Sequence, residues 1–107
     1  MKRGDIIAVA APGDYGKPRP AVVVQSDEIN TDSILVALIT SALRDTPFLR
    51  LTVVPSSENK LKAVSQVMID KIVTLPRHKS GKKIGRLNAA ELLTLNQLLS
   101  VMLGLAD

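Results

Sequence analysis

The chain contains no cysteine, which excludes disulfide bonds and thiolate metal ligands and suits a reducing compartment. It has a single histidine, His78, and no cluster of histidine and carboxylate residues has the spacing of a metal site. The longest apolar run near the start, residues 6–11, is too short to span a membrane and lacks a signal-peptide cleavage pattern. These absences predict a cytoplasmic protein without a metal, a cofactor or a membrane anchor.

Aromatic residues are almost absent, since Tyr15 and Phe48 are the only two. This scarcity argues against nucleic-acid domains that depend on several stacked aromatic side chains. Hydrophobic residues nevertheless make up 46% of the 107 residues, which is enough for one core. We therefore predict a single domain spanning residues 1–107, with no repeat or linker.

Alternating and valine-rich segments predict a sheet of short strands. The predicted strands are residues 5–10, 19–25, 33–40, 48–54, one long bent strand or two short strands within 63–75, and a short edge strand at 83–86. Asn88 and Glu91 have the spacing of a capping box before a leucine-rich helix, and Gly104 suits the position after its last turn. The pattern predicts a mainly β fold with a C-terminal helix, as a small curled antiparallel sheet or open barrel.

The apolar face of the predicted helix is wide for a helix that lies on one small sheet. This width fits either burial against a second copy of the chain or a well-filled monomer core.

Positive charge is in excess, with a net charge of +4, and it is concentrated in residues 71–86, where six cations occur with no acid. Such a stripe suits a polyanionic partner, and the alternative is an exposed loop kept soluble by lysines.

Three polar residues lie where strands begin, end or are interrupted. Arg19 opens the second strand after a loop containing glycine and proline, Thr40 closes the third strand, and Asp70 interrupts an apolar run. Taken singly, they fit a solvated arginine, a strand-ending threonine and a salt-bridge partner. Together they offer a phosphate clamp, a hydroxyl donor and a carboxylate, and cleavage of a phosphodiester by its neighbouring 2′-hydroxyl needs little more.

Several short segments of the sequence are not decisive singly, but their order and spacing together are characteristic of one family. They are RGDII (residues 3–7), GKPRPAVVV (16–24), VALITS (36–41), Ser65 followed by DKIVTL (70–75), and KIGRL (83–87) before the closing helix. With these segments, nearly the whole chain resembles the MazF/PemK family of toxin endoribonucleases.

The resemblance implies a small SH3-like antiparallel barrel carrying a helix, a homodimer, a cognate acidic antitoxin, and metal-independent cleavage of single-stranded RNA. The family's key arginine falls on Arg19, its threonine on Thr40, and an aspartate that some members use falls on Asp70. In the implied roles, Arg19 holds the scissile phosphate, Thr40 donates a hydrogen bond to it, and Asp70 orients the 2′-hydroxyl or accepts its proton. The expected RNA-binding residues are Tyr15, Lys17, Ser41, Arg77, Lys79, Lys82 and Lys83.

The sequence also departs from the family pattern. The loop before Arg19 lacks the Glu or His that some members use, Lys71 stands where Gln is common, and Met68 where one subgroup has Arg. The general base, the general acid and the cleaved sequence therefore stay open. Two other functions also stay open, a toxin that poisons gyrase by binding and a non-catalytic RNA-binding barrel.

Overall fold

One antiparallel sheet of six strands carries the fold. In the computed structural model, which describes residues 1–10 and 17–106, the strands are β1 (Asp5–Val9), β2 (Arg19–Val23), β3 (Ser33–Thr40), β4 (Arg50–Val53), β5 (Ser65–Pro76) and β6 (Ser80–Arg86). Their order across the sheet is β4-β5-β3-β2-β1-β6. A single 3₁₀ turn (Arg77–Lys79) joins β5 to β6, and the helix α1 (Ala89–Met102) follows. The predicted mainly β fold with a C-terminal helix is confirmed.

The long strand β5 is continuous and bent, which decides between the two predicted alternatives. Its first part pairs with β4 and with the end of β3, where Val67 lies opposite Ile39. Its second part pairs with the rest of β3, beginning with Ile72 opposite Ala37. The four residues 68–71 therefore face a single residue of β3, and this bulge bends the strand.

Edge strand β6 is longer than predicted, because its pairing with β1 begins at Ser80 rather than at Lys83. The pattern of apolar residues could not show this, since most side chains of an edge strand are exposed. The β4–β5 connection approaches the end of β6, where the amide of Arg86 donates to the carbonyl of Glu58 at 3.0 Å. Gly85 permits this contact, because a Cβ there would lie 2.5 Å from that oxygen.

Alternate residues of the strands face two separate apolar clusters. The first cluster packs the sheet against α1, and it includes Val22, Ile39, Val67, Leu95 and Leu99. The second lies on the other face of the sheet and is built from Ile7, Val9, Ala21, Val23, Ile34, Val36 and Leu75. The sheet is thus covered on both faces, and the ends of its strands remain the accessible places for polar groups.

The ends of α1 agree with the predicted signals. The Asn88 side chain accepts a hydrogen bond from the amide of Glu91 at 2.8 Å, and the Glu91 carboxylate accepts one from the amide of Asn88 at 2.9 Å. After the helix, Gly104 adopts a φ of +72°, a left-handed conformation that glycine tolerates without strain. The capping box and the terminating glycine are therefore confirmed.

Candidate active site

Arg19 and Thr40 come together at one end of the sheet. Arg19 is the first residue of β2 and Thr40 is the last residue of β3. The pairing of the two strands ends at Ala21 with Leu38, and Arg19 and Thr40 each lie two residues beyond this pair, toward the same end of the sheet. Residues two positions apart on a strand lie on the same face, so Arg19 and Thr40 share the face of Ala21 and Leu38. The two residues predicted to contact the phosphate are thus brought to the same end of the sheet, although twenty residues of chain lie between them.

Arg19 is exposed, and the half-buried Pro20 follows it at the start of β2. Proline is suited to this position because it cannot donate to the sheet and its φ is fixed. An arginine side chain keeps its positive charge at neutral pH and presents five N–H donors in a planar fork. The Arg19 side chain can therefore bind an anion at this end of the sheet.

Thr40 is half-buried, and its hydroxyl already makes one hydrogen bond. Its Oγ1 accepts from the backbone amide of Ala42 at 3.1 Å. Because the hydroxyl is the acceptor in this contact, its own hydrogen can be donated to another group. The geometry is therefore compatible with the predicted role of Thr40 as a donor.

The segment that follows Thr40 is attached to the sheet by residues that sequence reasoning missed. The amide side chain of Gln66 accepts a hydrogen bond from the backbone amide of Arg44 at 3.0 Å and donates one to its carbonyl at 3.0 Å. The Arg50 guanidinium contacts the Ala42 carbonyl at 3.2 Å. The only signal in the sequence was a glutamine within a run of buried apolar residues.

Asp70 lies beside the pair rather than in it. It is exposed and occupies the bulge of β5 that faces Leu38, two residues along β3 from Thr40. Two residues of a strand span about 7 Å, so a substrate could contact both Asp70 and Thr40.

The predicted RNA-binding residues are distributed over different parts of the surface. Lys17 and Ser41 are exposed and are near neighbours of Arg19 and Thr40 in the chain. Tyr15 lies outside the described residues.

Two exposed lysines, Lys79 and Lys82, flank the start of β6. This start lies at the same end of the sheet as Arg19, because Ser80 pairs with Val9 and Val9 pairs with Arg19.

Two of the predicted basic residues have structural contacts. The Nε of Arg77 donates to the carbonyl of Thr31, in the connection between β2 and β3. Lys83 forms an ion pair with Asp5 at 3.3 Å, in which the Asp5 side chain is only 5% exposed and the Lys83 side chain is 56% exposed. The sequence did not indicate either contact, since both join residues that are distant in the chain.

A cleft of about 450 Å³ lies next to Arg19 and Thr40. It is lined by Pro18, Pro20, Ser41, Lys60, Leu61, Lys62, Ala63, Ser65 and Ile84. The two prolines flank Arg19, and Ser41 follows Thr40. Lys60 and Lys62 come from the β4–β5 connection and add positive charge that was absent from the predicted set. The lining contains the chain neighbours of Arg19 and Thr40 but neither of these two side chains.

Within residues 1–10 and 17–106, no three His, Asp or Glu side chains are grouped where they could hold a metal ion. In the same described part of the chain, no helix has the length and hydropathy needed to cross a membrane.

Comparisons with known proteins agree with this architecture. The family described as PemK-like, MazF-like toxin of type II toxin-antitoxin system matches residues 2–103. A probable endoribonuclease MazF of Mycolicibacterium smegmatis is 40% identical over 108 residues, covering 99% of each chain. An endoribonuclease MazF of Staphylococcus saprophyticus is 27% identical over 111 residues, covering 98% of this chain and 92% of its own.

Solved structures show the same fold. An endoribonuclease from a mycobacterial species, in complex with its cognate antitoxin, superposes with a TM-score of 0.79 at 21% identity and covers 98% of this chain and 96% of its own. The Mycobacterium tuberculosis toxin MazF-mt6 superposes with a TM-score of 0.78 at 24% identity and covers 95% and 97%. With the family match over almost its whole length and a relative at 40% identity, the chain belongs to the PemK/MazF family of toxins of type II toxin–antitoxin systems.

Proposed function

We propose that this toxin is an endoribonuclease that cuts single-stranded RNA by attack of a 2′-hydroxyl on the adjacent phosphate, without a metal ion. The observation that carries the proposal is that Arg19, the first residue of β2, and Thr40, the last residue of β3, lie at the same end of the sheet. The relatives named endoribonuclease MazF support the reaction type.

In the proposed reaction, the 2′-oxygen forms a bond to phosphorus while the bond from phosphorus to the 5′-oxygen breaks. The proton of the 2′-hydroxyl leaves, and a proton is taken up by the departing 5′-oxygen. The products are a 2′,3′-cyclic phosphate and a free 5′-hydroxyl. Arg19 stabilises the negative charge that develops on the phosphate oxygens, and Thr40 donates a hydrogen bond to one of them. Asp70 orients the 2′-hydroxyl or accepts its proton.

The RNA strand on either side of the cut follows the positive surface around this pair. Lys60 and Lys62 attract it into the cleft beside Arg19, and Lys17, Lys79 and Lys82 contribute exposed charge at the same end of the sheet. Contacts of this kind are mainly with phosphates and weaken as salt is added. Ser41, at the rim of the cleft, contacts the strand next to the cut.

The decisive experiment is cleavage of a long RNA in excess EDTA, with analysis of the product ends. We expect cyclic phosphate and 5′-hydroxyl ends, and no cleavage when a 2′-deoxy nucleotide stands immediately 5′ of the cut. Cleavage of the deoxy-substituted RNA, or a strict need for Mg²⁺, would show that the 2′-hydroxyl is not the nucleophile.

Inhibition by an antitoxin follows from the family. Solved relatives include an endoribonuclease with its cognate antitoxin and MazE-MazF of Deinococcus radiodurans. For this chain, we propose an antitoxin with an acidic, flexible tail that folds onto the basic cleft and excludes RNA. A competition titration of labelled, non-cleavable RNA against the tail peptide checks this. Binding of both at once, with no effect on either affinity, would place the inhibition elsewhere.

A further inference from the structure

The segment formed by residues 41–44 is exposed, and two polar side chains attach it to the sheet. Gln66 is 6% exposed and makes four hydrogen bonds through its side chain. Two of them join the backbone amide and carbonyl of Arg44, so the side chain pairs with Arg44 as a strand would. The other two contact Nη1 of Arg50 and Oγ1 of Thr52, both at 3.2 Å. Gln66 thus links β4, β5 and the segment after Thr40.

A continuous set of hydrogen bonds connects Gln66 with the hydroxyl of Thr40. Oε1 of Gln66 accepts from Nη1 of Arg50, and the same nitrogen donates to the carbonyl of Ala42 at 3.2 Å. The amide of Ala42 in turn donates to Oγ1 of Thr40 at 3.1 Å. Because Oγ1 accepts this hydrogen bond, the direction in which its own hydrogen points depends on where the Ala42 amide is held.

We propose that Gln66 and Arg50 are positioning residues of the active site, which hold residues 41–44 so that the Thr40 hydroxyl is directed at the phosphate. This inference rests on the proposed ribonuclease function. Gln66 is too deeply buried to contact RNA, and its effect on the reaction passes through Thr40. A donor that is misplaced by about 1 Å can lower a rate by up to about 10²-fold, so the anchoring of this segment matters for the rate.

The first test is Gln66→Met, which keeps the length of the side chain and removes its hydrogen bonds. We expect kcat to fall by about tenfold to 10²-fold, and by no more than it falls in Thr40→Ala, while KM changes less than about threefold. The matched control is Gln25→Met. Gln25 makes the same kind of contacts at the other end of β3, with the backbone of Leu35 and of Ile29, and its removal should change kcat less than about twofold.

The second test separates positioning from a general structural effect. In the double variant Thr40→Ala with Gln66→Met, we expect the kcat of Thr40→Ala alone, because Gln66 no longer has a hydroxyl to direct. The double variant Thr40→Ala with Arg50→Met should likewise have the kcat of Thr40→Ala alone. Arg50→Met therefore also tests the proposal if Gln66→Met does not fold. If the effects of the two substitutions on kcat multiply, Gln66 does not act through Thr40 and the proposal is wrong.

A third measurement does not depend on RNA cleavage. Amide hydrogen exchange at Ala42 and Arg44 should be at least tenfold faster in Gln66→Met than in the wild type, while exchange in the central part of β3 stays unchanged. Unchanged exchange at these two amides would overturn the anchoring itself. An inactive wild-type protein with faster exchange in the variant would instead refute the proposed function and leave the anchoring supported.

Discussion

Arg19 and Thr40 act on the same phosphate in the proposed reaction, but with different strengths. Arg19 supplies a full positive charge, whereas Thr40 supplies one neutral hydrogen bond. We expect Arg19→Ala to lower the cleavage rate by about 10²–10³-fold or more, and Thr40→Ala to lower it less. Neither side chain belongs to the apolar clusters, so thermal unfolding should change little.

The control for Arg19 is Arg86→Ala. Arg86 is also an exposed strand arginine, but it pairs with Asp5 at the opposite end of β1. Its removal should leave the rate within about twofold of the wild type. A larger loss of rate in Thr40→Ala than in Arg19→Ala would reverse the roles assigned to the two residues.

Neighbouring lysines of β6 should respond differently to the same substitution. Lys83→Met leaves the buried Asp5 carboxylate without its cation and should cost about 1–2 kcal/mol of the free energy of unfolding, less than for a fully buried pair because Lys83 is half exposed. Lys82→Met should lower the free energy of unfolding by less than about 0.5 kcal/mol. It should instead weaken RNA binding and reduce the salt dependence of that binding. Denaturant unfolding and RNA titration at two salt concentrations distinguish the effects. Equal stability losses would mean that the Asp5–Lys83 pair contributes nothing.

At the scale of elements, the capping box determines how firmly α1 begins. Asn88→Ala removes the acceptor for the Glu91 amide and should lower the free energy of unfolding by about 1 kcal/mol. Gln97→Ala is the control, because Gln97 is exposed within the helix, where alanine is the better helix former. Chemical denaturation measures both variants. A loss in Gln97→Ala as large as in Asn88→Ala would remove the capping explanation.

The bulge of β5 is the other element with consequences for the site. It turns the strand so that its first part pairs with β4 beside Thr40, while its second part continues along β3. Asp70 lies in this bulge, and Gln66 lies just before it, opposite Thr40. The bend therefore determines the positions of Asp70 and Gln66 relative to the end of β3.

At the scale of the whole molecule, apolar surface remains exposed at the end of α1. Leu103 is 60% exposed and Leu105 is 74% exposed, and both border a groove that also includes Leu35 and Ile72. The family resemblance implies a homodimer, and we propose that a second copy of the chain covers this surface. Light scattering should then give about twice 11.5 kDa at micromolar concentration. Replacing Leu103 and Leu105 by Glu should yield monomers, and a monomeric wild type would exclude this dimer.

Much of the architecture follows from local signals in the sequence. Local signals were sufficient for the strand order along the chain, the capped helix and its terminating glycine, because each depends on residues within a few positions of one another. The polar residues at strand ends were visible for the same reason, and Arg19 and Thr40 became candidates before any contact was known. The order of several short segments was also enough to indicate the family.

Contacts between residues that are distant in the chain depend on the folded structure. The register of β2, β3 and β5 brings Arg19 and Thr40 to the same end of the sheet and sets Thr40 opposite Gln66, and no local pattern contains that register. The anchoring of residues 41–44 by Gln66, the ion pair of Lys83 with Asp5, and the cleft next to Arg19 all join residues that are far apart in the chain. Periodicity shows which face a side chain occupies, whereas a hydrogen bond or an ion pair requires the partner strand to be in place.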